Sequence, residues 1–156
     1  MRVLVECKAD KLLVEKLGFK AKHIGSKPEI AKILRNSQKC VALIDEDPHS
    51  RHNDPYFQYL QIIENKYDVT VRLDKRRKHY IVSLTTNLED WIIKVVKNMG
   101  KNMRDYNLPD DVNSLHRRIN YNLKKFDFLL DDIIESDMVR YLKKKIEDGL
   151  RETKNL

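Results

Sequence analysis

Glu6, Asp45 and Asp47 are the residues of this chain best suited by type and spacing to act together. Glu6 closes the apolar run Val3-Leu4-Val5, and the two aspartates follow the run Val41-Ala42-Leu43-Ile44. Short apolar runs with β-branched members and polar flanks are the pattern of strands buried on both faces. Ligands of open α/β sheets bind in the crevice beyond the carboxyl ends of the parallel strands. If the two strands run the same way, all three acids reach one rim. Hard oxygen donors gathered there suit Mg²⁺ or Mn²⁺ better than a soft metal. A cation at such a site neutralises charge on phosphoryl oxygens and lowers the pKa of a bound water, so the trio predicts metal-assisted phosphodiester chemistry. The competing reading is a solvated turn at residues 45–48 and an ordinary strand-end charge at Glu6.

The segments between and after these acids predict the scaffold. Leu12, Leu13 and Leu17 mark an amphipathic helix closed by Gly18, and residues 19–24 a short strand. Ser26 caps a second helix with Ile30, Ala31, Ile33 and Leu34 inward. The order β-α-β-α-β predicts an α/β fold, a small Rossmann-like and mostly parallel sheet flanked by helices. Past Asp47 a polar loop carries His49, Arg51 and His52, and a helix is expected over residues 56–65. Val69, Val71 and Leu73 alternate as a strand, and residues 79–84 form another. So short a link between them predicts a hairpin. At its turn stands the densest cationic cluster, Lys75-Arg76-Arg77-Lys78, which a parallel preceding strand would set beside the acids as a nucleic-acid clamp. A charged hairpin tip that discourages edge pairing is the alternative. Lys27 and Arg51 are weaker candidates for the same role.

Thr85-Thr86-Asn87 caps a helix with Leu88, Trp91, Ile92, Val95 and Val96 on its apolar face. Residues 1–98 are thus an α/β domain, 99–109 a linker, and 110–156 a C-terminal helical extension. In the extension Val112, Leu115, Ile119, Leu123, Phe126, Leu130 and Ile133 step by three and four, with a break at Ser136-Asp137. The extension is expected to pack on the sheet or on a partner, a second copy included. The chain has a formal charge of +7, with 19 Lys and Arg against 13 Asp and Glu over residues 1–100 and 12 against 11 thereafter. A basic surface around an acidic centre fits a nucleic-acid partner. No apolar run is long enough to span a bilayer and no signal-peptide pattern is present, so a cytoplasmic protein is expected. Cys7 and Cys40 lack metal-ligand spacing and read as reduced thiols.

Val3-Leu-Val-Glu6 with Asp10, followed by Leu43-Ile-Asp45-Glu-Asp47 after a later strand, resembles the Toprim domain of topoisomerases, bacterial primases and OLD-family nucleases. The resemblance covers roughly the first hundred residues. It implies an acid-base or metal-binding role for Glu6 and Mg²⁺ ligation by Asp45 and Asp47; Asp10, one helical turn past Glu6, is either a supporting acid or a first-turn carboxylate that favours the helix dipole. Leu88-Glu89-Asp90-Trp91-Ile92 is similar to an acidic-aromatic segment of small Toprim-related proteins and adds Glu89 as a weaker metal candidate. An antiparallel return strand would, however, deliver Glu89 to the opposite edge. Cys7 stands where the family usually has glycine, and Pro48 and His49 where a glycine commonly follows the aspartates. Two functions are expected. One is a Mg²⁺-dependent nuclease of defence or repair. The other is a non-catalytic module of the same fold that binds nucleic acid or protein.

Overall fold

A computed structural model describes residues 2–50 and 53–155. Six strands, β1 (Val3–Val5), β2 (Ala21–His23), β3 (Val41–Asp45), β4 (Gln61–Lys66), β5 (Val69–Asp74) and β6 (His79–Leu84), form one sheet in the order β2-β1-β3-β6-β5-β4. The β2-β1, β1-β3 and β3-β6 pairings are parallel, and β5 runs against both of its neighbours. The fold is α/β and mostly parallel, with helices on both faces.

The alternation of side chains along each strand divides the core into two layers. Val3, Val5, Val41, Leu43, Val82 and Leu84 face one layer, while Leu4, Ala42, Ile44 and Ile81 face the other. The first layer is covered by α1 (Lys8–Lys16), α4 (Leu88–Asn98), α5 (Val112–Tyr121), α6 (Lys124–Ile133) and α7 (Asp137–Asn155). The second is covered by α2 (Lys27–Arg35) and the short α3 (Pro55–Gln58). The connections β1-α1-β2 and β2-α2-β3 therefore cross on opposite faces. The strand order reverses between β1 and β3, the strands that end at Glu6 and Asp45.

Within residues 99–111, Met103, Tyr106 and Leu108 are buried in the same layer as Trp91, Phe126 and Leu142, and most of the others are exposed. Asn122 is extended, at φ −156° and ψ 119°, and splits the apolar stripe of residues 112–133 into α5 and α6. At Gly149 of α7 an added Cβ would overlap the Tyr80 ring, so the missing side chain lets the helix lie against β6.

The helix expected over residues 56–65 is wrong beyond Gln58. Tyr67 and Asp68 both take left-handed backbone, at φ 55° and 58°. Two such residues in succession make the two-residue hairpin turn that fits strand twist. The turn folds residues 61–66 back on β5 as an edge strand with Ile62 and Ile63 exposed. This added strand reverses the direction of the next two: β5 runs opposite to β3, and β6 runs with it.

Candidate active site at the carboxyl ends of β1, β3 and β6

The rim is built by backbone hydrogen bonds that continue the sheet past its strands. The Glu46 N–H donates to Leu84 O at 2.9 Å, and the Asp47 N–H to Thr86 O at 2.7 Å. Residues 45–47 are thereby tied to the turn that opens α4. Glu6 Oε2 accepts the Asp45 N–H at 2.6 Å, and Asp45 Oδ1 accepts the Leu88 N–H at 2.9 Å. Leu88 is the first residue of α4, so this N–H is one of the donors a helix leaves unpaired. Asn87 caps the same helix by accepting the Asp90 N–H at 2.9 Å. Asp47 sits in left-handed backbone at φ 44°, a conformation tolerated by Asp but costing about 1 kcal/mol or more, and recurrent at functional sites.

Two more acids complete the cluster. Asp10, in the first turn of α1, is buried, and its Oδ2 accepts from the Cys7 N–H at 3.3 Å and the Cys7 Sγ–H at 3.1 Å. Glu89, in the first turn of α4, is 6% exposed, and its Oε1 lies 2.8 Å from His116 Nδ1. Burial, and then the charges of Asp10, Glu6 and Glu89, push the Asp45 carboxyl up to about 9. Burial raises Asp10 to about 7, with Glu6 and Glu89 adding to the shift. Burial also raises Glu6, against the Asp45 N–H and Lys27, while Asp47 and Glu89 push the same way as burial. Asp45 and Asp10 are crowded enough to hold protons near neutrality, a state that a bound cation relieves.

On the opposite face of the rim the polar groups are matched. Arg72 of β5 forks onto Glu46, with Nη1 at 2.7 Å from Oε2 and Nη2 at 2.5 Å from Oε1. Burial pushes the Glu46 carboxyl up, but the Arg72 fork outweighs it and holds Glu46 below the usual range. Lys27, first residue of α2, is buried, and its Nζ donates to Glu46 O at 3.0 Å and Asn53 Oδ1 at 2.8 Å. Burial lowers the Lys27 ammonium, while Glu6, Glu46, Asp47 and Asp45 oppose that shift. A pocket of about 180 Å³ opens here between Lys27, Glu46, Asn53, Phe57 and Arg72.

The structure brings Glu6, Asp45 and Asp47 to one rim and adds Glu89 to it. The expectation that Glu89 would fall on the opposite edge is corrected, because β6 is parallel to β3 and α4 begins beside Asp45. The same strand direction corrects the expected position of Lys75-Arg76-Arg77-Lys78. β5 is antiparallel to β6, so this turn lies at the far edge of the sheet, where the Lys39 N–H donates to Arg77 O. It is not beside the acids. Lys27 points inward rather than toward a ligand's backbone, and His49 is exposed. Arg51 and His52 lie outside the described residues. Cys7 is extended at φ −138° and ψ 172°, a conformation open to any residue, so glycine is not required there. Cys7 and Cys40 are both free thiols, and burial with Asp10 beside it pushes the Cys7 thiol far up.

Sequence reasoning missed His116, Glu46 with Arg72, and Asn53. Only the contact with Glu89 distinguishes His116 from a surface histidine. Among the described residues no three His, Cys, Asp or Glu side chains encircle a single point as a bound ion requires. The donors are nonetheless all carboxylate oxygens, which fits a hard divalent cation and no soft one. No helix among the described residues is long and apolar enough to cross a membrane. Compared with models of known families, with curated proteins and with solved structures, the chain matches none.

Proposed function

We propose that this chain is a Toprim-like, Mg²⁺- or Mn²⁺-dependent enzyme of nucleic-acid phosphodiester chemistry, nuclease-like in its reaction. The observation that carries the reading is the crowding of Glu6, Asp10, Asp45 and Glu89 at the carboxyl rim of parallel strands, with Asp45 raised to about 9. Buried acids that repel one another are costly to a fold and recur where a charge or proton is to be handled. Glu6, Asp45 and Asp47 are the proposed cation ligands, with Glu89 a further donor. When bound, the cation neutralises phosphoryl oxygens and acidifies a water. The chain's own residues supply the placement. The α4 amide at Leu88 fixes Asp45, the Asp45 N–H fixes Glu6, and Lys27 offsets part of the negative charge from the other face. Defence or repair is the setting we assign to such an activity.

The Leu88 and Asp45 amides occupy oxygens that a cation would use, and this favours a second reading, a non-catalytic binding module of the same fold. Incubation of single- and double-stranded DNA and RNA with the protein and Mg²⁺ or Mn²⁺ separates the two. The enzyme reading expects cleavage that stops with a chelator and in Asp45→Asn. Nucleic-acid binding that survives chelation and Asp45→Asn, with no cleavage of any substrate, contradicts it and supports the module.

A further inference from the structure

We propose that single-stranded nucleic acid is held by the exposed face of α5 and the α5–α6 turn, through Arg117, Arg118, Tyr121, Lys124 and Lys125. The inference rests on the function proposed above and names the substrate-holding surface of that same site. Residues 112–126 contain four Lys and Arg and no Asp or Glu. All four cations are exposed, and among the described residues none of them makes an ion pair. Several other surface cations are ion-paired: Lys16 with Asp127 and Asp131, Lys94 with Asp68 and Asp90, Lys101 with Asp132. A cluster of one sign without ion pairs, spanning the end of α5 and the start of α6, matches the charge of a phosphodiester backbone.

The aromatic content of the patch selects the partner. Tyr121 is 89% exposed. Two hollows border Tyr121, one of about 280 Å³ shared with Ser114, Arg117 and Arg118, the other of about 250 Å³ shared with Arg118, Asn122 and Lys125. A projecting ring flanked by cations is a stacking platform for unpaired bases, whose faces a duplex keeps hidden. Duplex DNA offers only its backbone to such a surface.

Position joins the patch to the rim. His116 of α5 contacts Glu89, and Asn120 Nδ2 lies 3.0 Å from His116 Nε2 one turn on, so α5 meets the acidic cluster at His116. Arg117 and Tyr121 occupy the adjacent row, one residue further round the helix. Lys8, His23 and the Lys11–Glu15 ion pair line a further hollow of about 290 Å³ that reaches Leu123 at the α5–α6 joint. A strand lying along α5 would thus pass the cations on its way to the rim at Glu89. The Lys75–Lys78 turn, at the other edge of the sheet, has no such connection.

Fluorescence anisotropy with labelled single-stranded DNA, single-stranded RNA and duplex DNA, in chelator, tests this on the full chain. Arg117→Glu/Arg118→Glu is expected to raise Kd for single strands roughly tenfold or more and to lower the salt slope by about 2. Tyr121→Ala is expected to raise it roughly tenfold for single strands and to leave duplex binding nearly unchanged. Lys75→Glu/Arg76→Glu is expected to have little effect. The relative affinities of the DNA and RNA strands identify which is preferred. Binding lost in Lys75→Glu/Arg76→Glu and kept in the α5 variants overturns the inference, as does no measurable binding of any strand. Mn²⁺ titration of the same variants keeps the two proposals separate. Unchanged Mn²⁺ binding with lost strand binding places the cation and the strand on different residues, whereas strand binding on α5 without any Mn²⁺ binding refutes the cation site alone. All substituted side chains are exposed, and matching circular dichroism spectra verify that the variants fold.

Discussion

Replacing Asp45 with asparagine should stabilise the metal-free protein. In the native state burial and the charges of Asp10, Glu6 and Glu89 keep the Asp45 carboxyl protonated up to about pH 9. Each pH unit of such a shift corresponds to about 1.4 kcal/mol. From an unfolded pKa of about 3.9, holding the proton at pH 7 costs about 4 kcal/mol at most. Asparagine has no proton to hold, and its Oδ1 still accepts the Leu88 N–H. With relaxation of the site, a gain of about 1–3 kcal/mol is expected. A folded-state pKa above the unfolded one gives stability that is present at low pH and lost as pH rises. The gap between variant and wild type therefore widens from about pH 4 toward pH 8. Urea denaturation in chelator reads this as a midpoint shift of roughly 0.5–1.5 M for a slope of about 2 kcal/mol/M. Adding Mn²⁺ should reverse the order by stabilising the wild type alone. A variant less stable than wild type by a margin that does not change with pH refutes the reasoning.

Mn²⁺ affinity should rise with pH between about 6 and 9, since protons on Asp10 and Asp45 compete with the cation. Calorimetry in buffers of different ionisation enthalpy should show about one to two protons released near pH 7. Arg72→Met leaves Glu46 without its fork and should cost about 2–3 kcal/mol near neutral pH. Because the fork depresses the Glu46 pKa, that loss should shrink as pH falls below about 4.5 in urea titrations. Gly149→Ala would gain about 1 kcal/mol in an ordinary helix interior. Here the Cβ meets the Tyr80 ring, so a net loss of about 1–3 kcal/mol is expected by thermal denaturation.

The buried strands are legible in the sequence because burial on both faces leaves a local mark. Val3–Val5 and Val41–Ile44 are continuous apolar runs, and the polar residue that ends each marks the rim. The helices α1, α2 and α4 are legible through their caps and stripes. The edge strand β4 is not. Its residues are largely exposed, so nothing enforces alternation, and Ile62-Ile63 fit a helical stripe by chance. Its turn uses Tyr67-Asp68, without the glycine that usually announces two left-handed residues. That one missed strand inverts the expected direction of the next two. It exchanges the places of Glu89 and the Lys75–Lys78 cluster, although the short link does identify the hairpin of β5 and β6. Glu6, Asp45 and Asp47 meet because each ends or follows a core strand. Glu89 and His116 meet through helix packing between α4 and α5, which leaves no periodic trace in the sequence.

Crystals soaked in Mn²⁺ and measured at the manganese absorption edge test the central claim most directly. The account predicts an anomalous peak at the rim within coordination distance of Glu6, Asp45 and Asp47, about 2.0–2.3 Å from their oxygens and absent in Asp45→Asn. Manganese bound elsewhere on the chain, with the rim carboxylates keeping only their backbone partners, would contradict it.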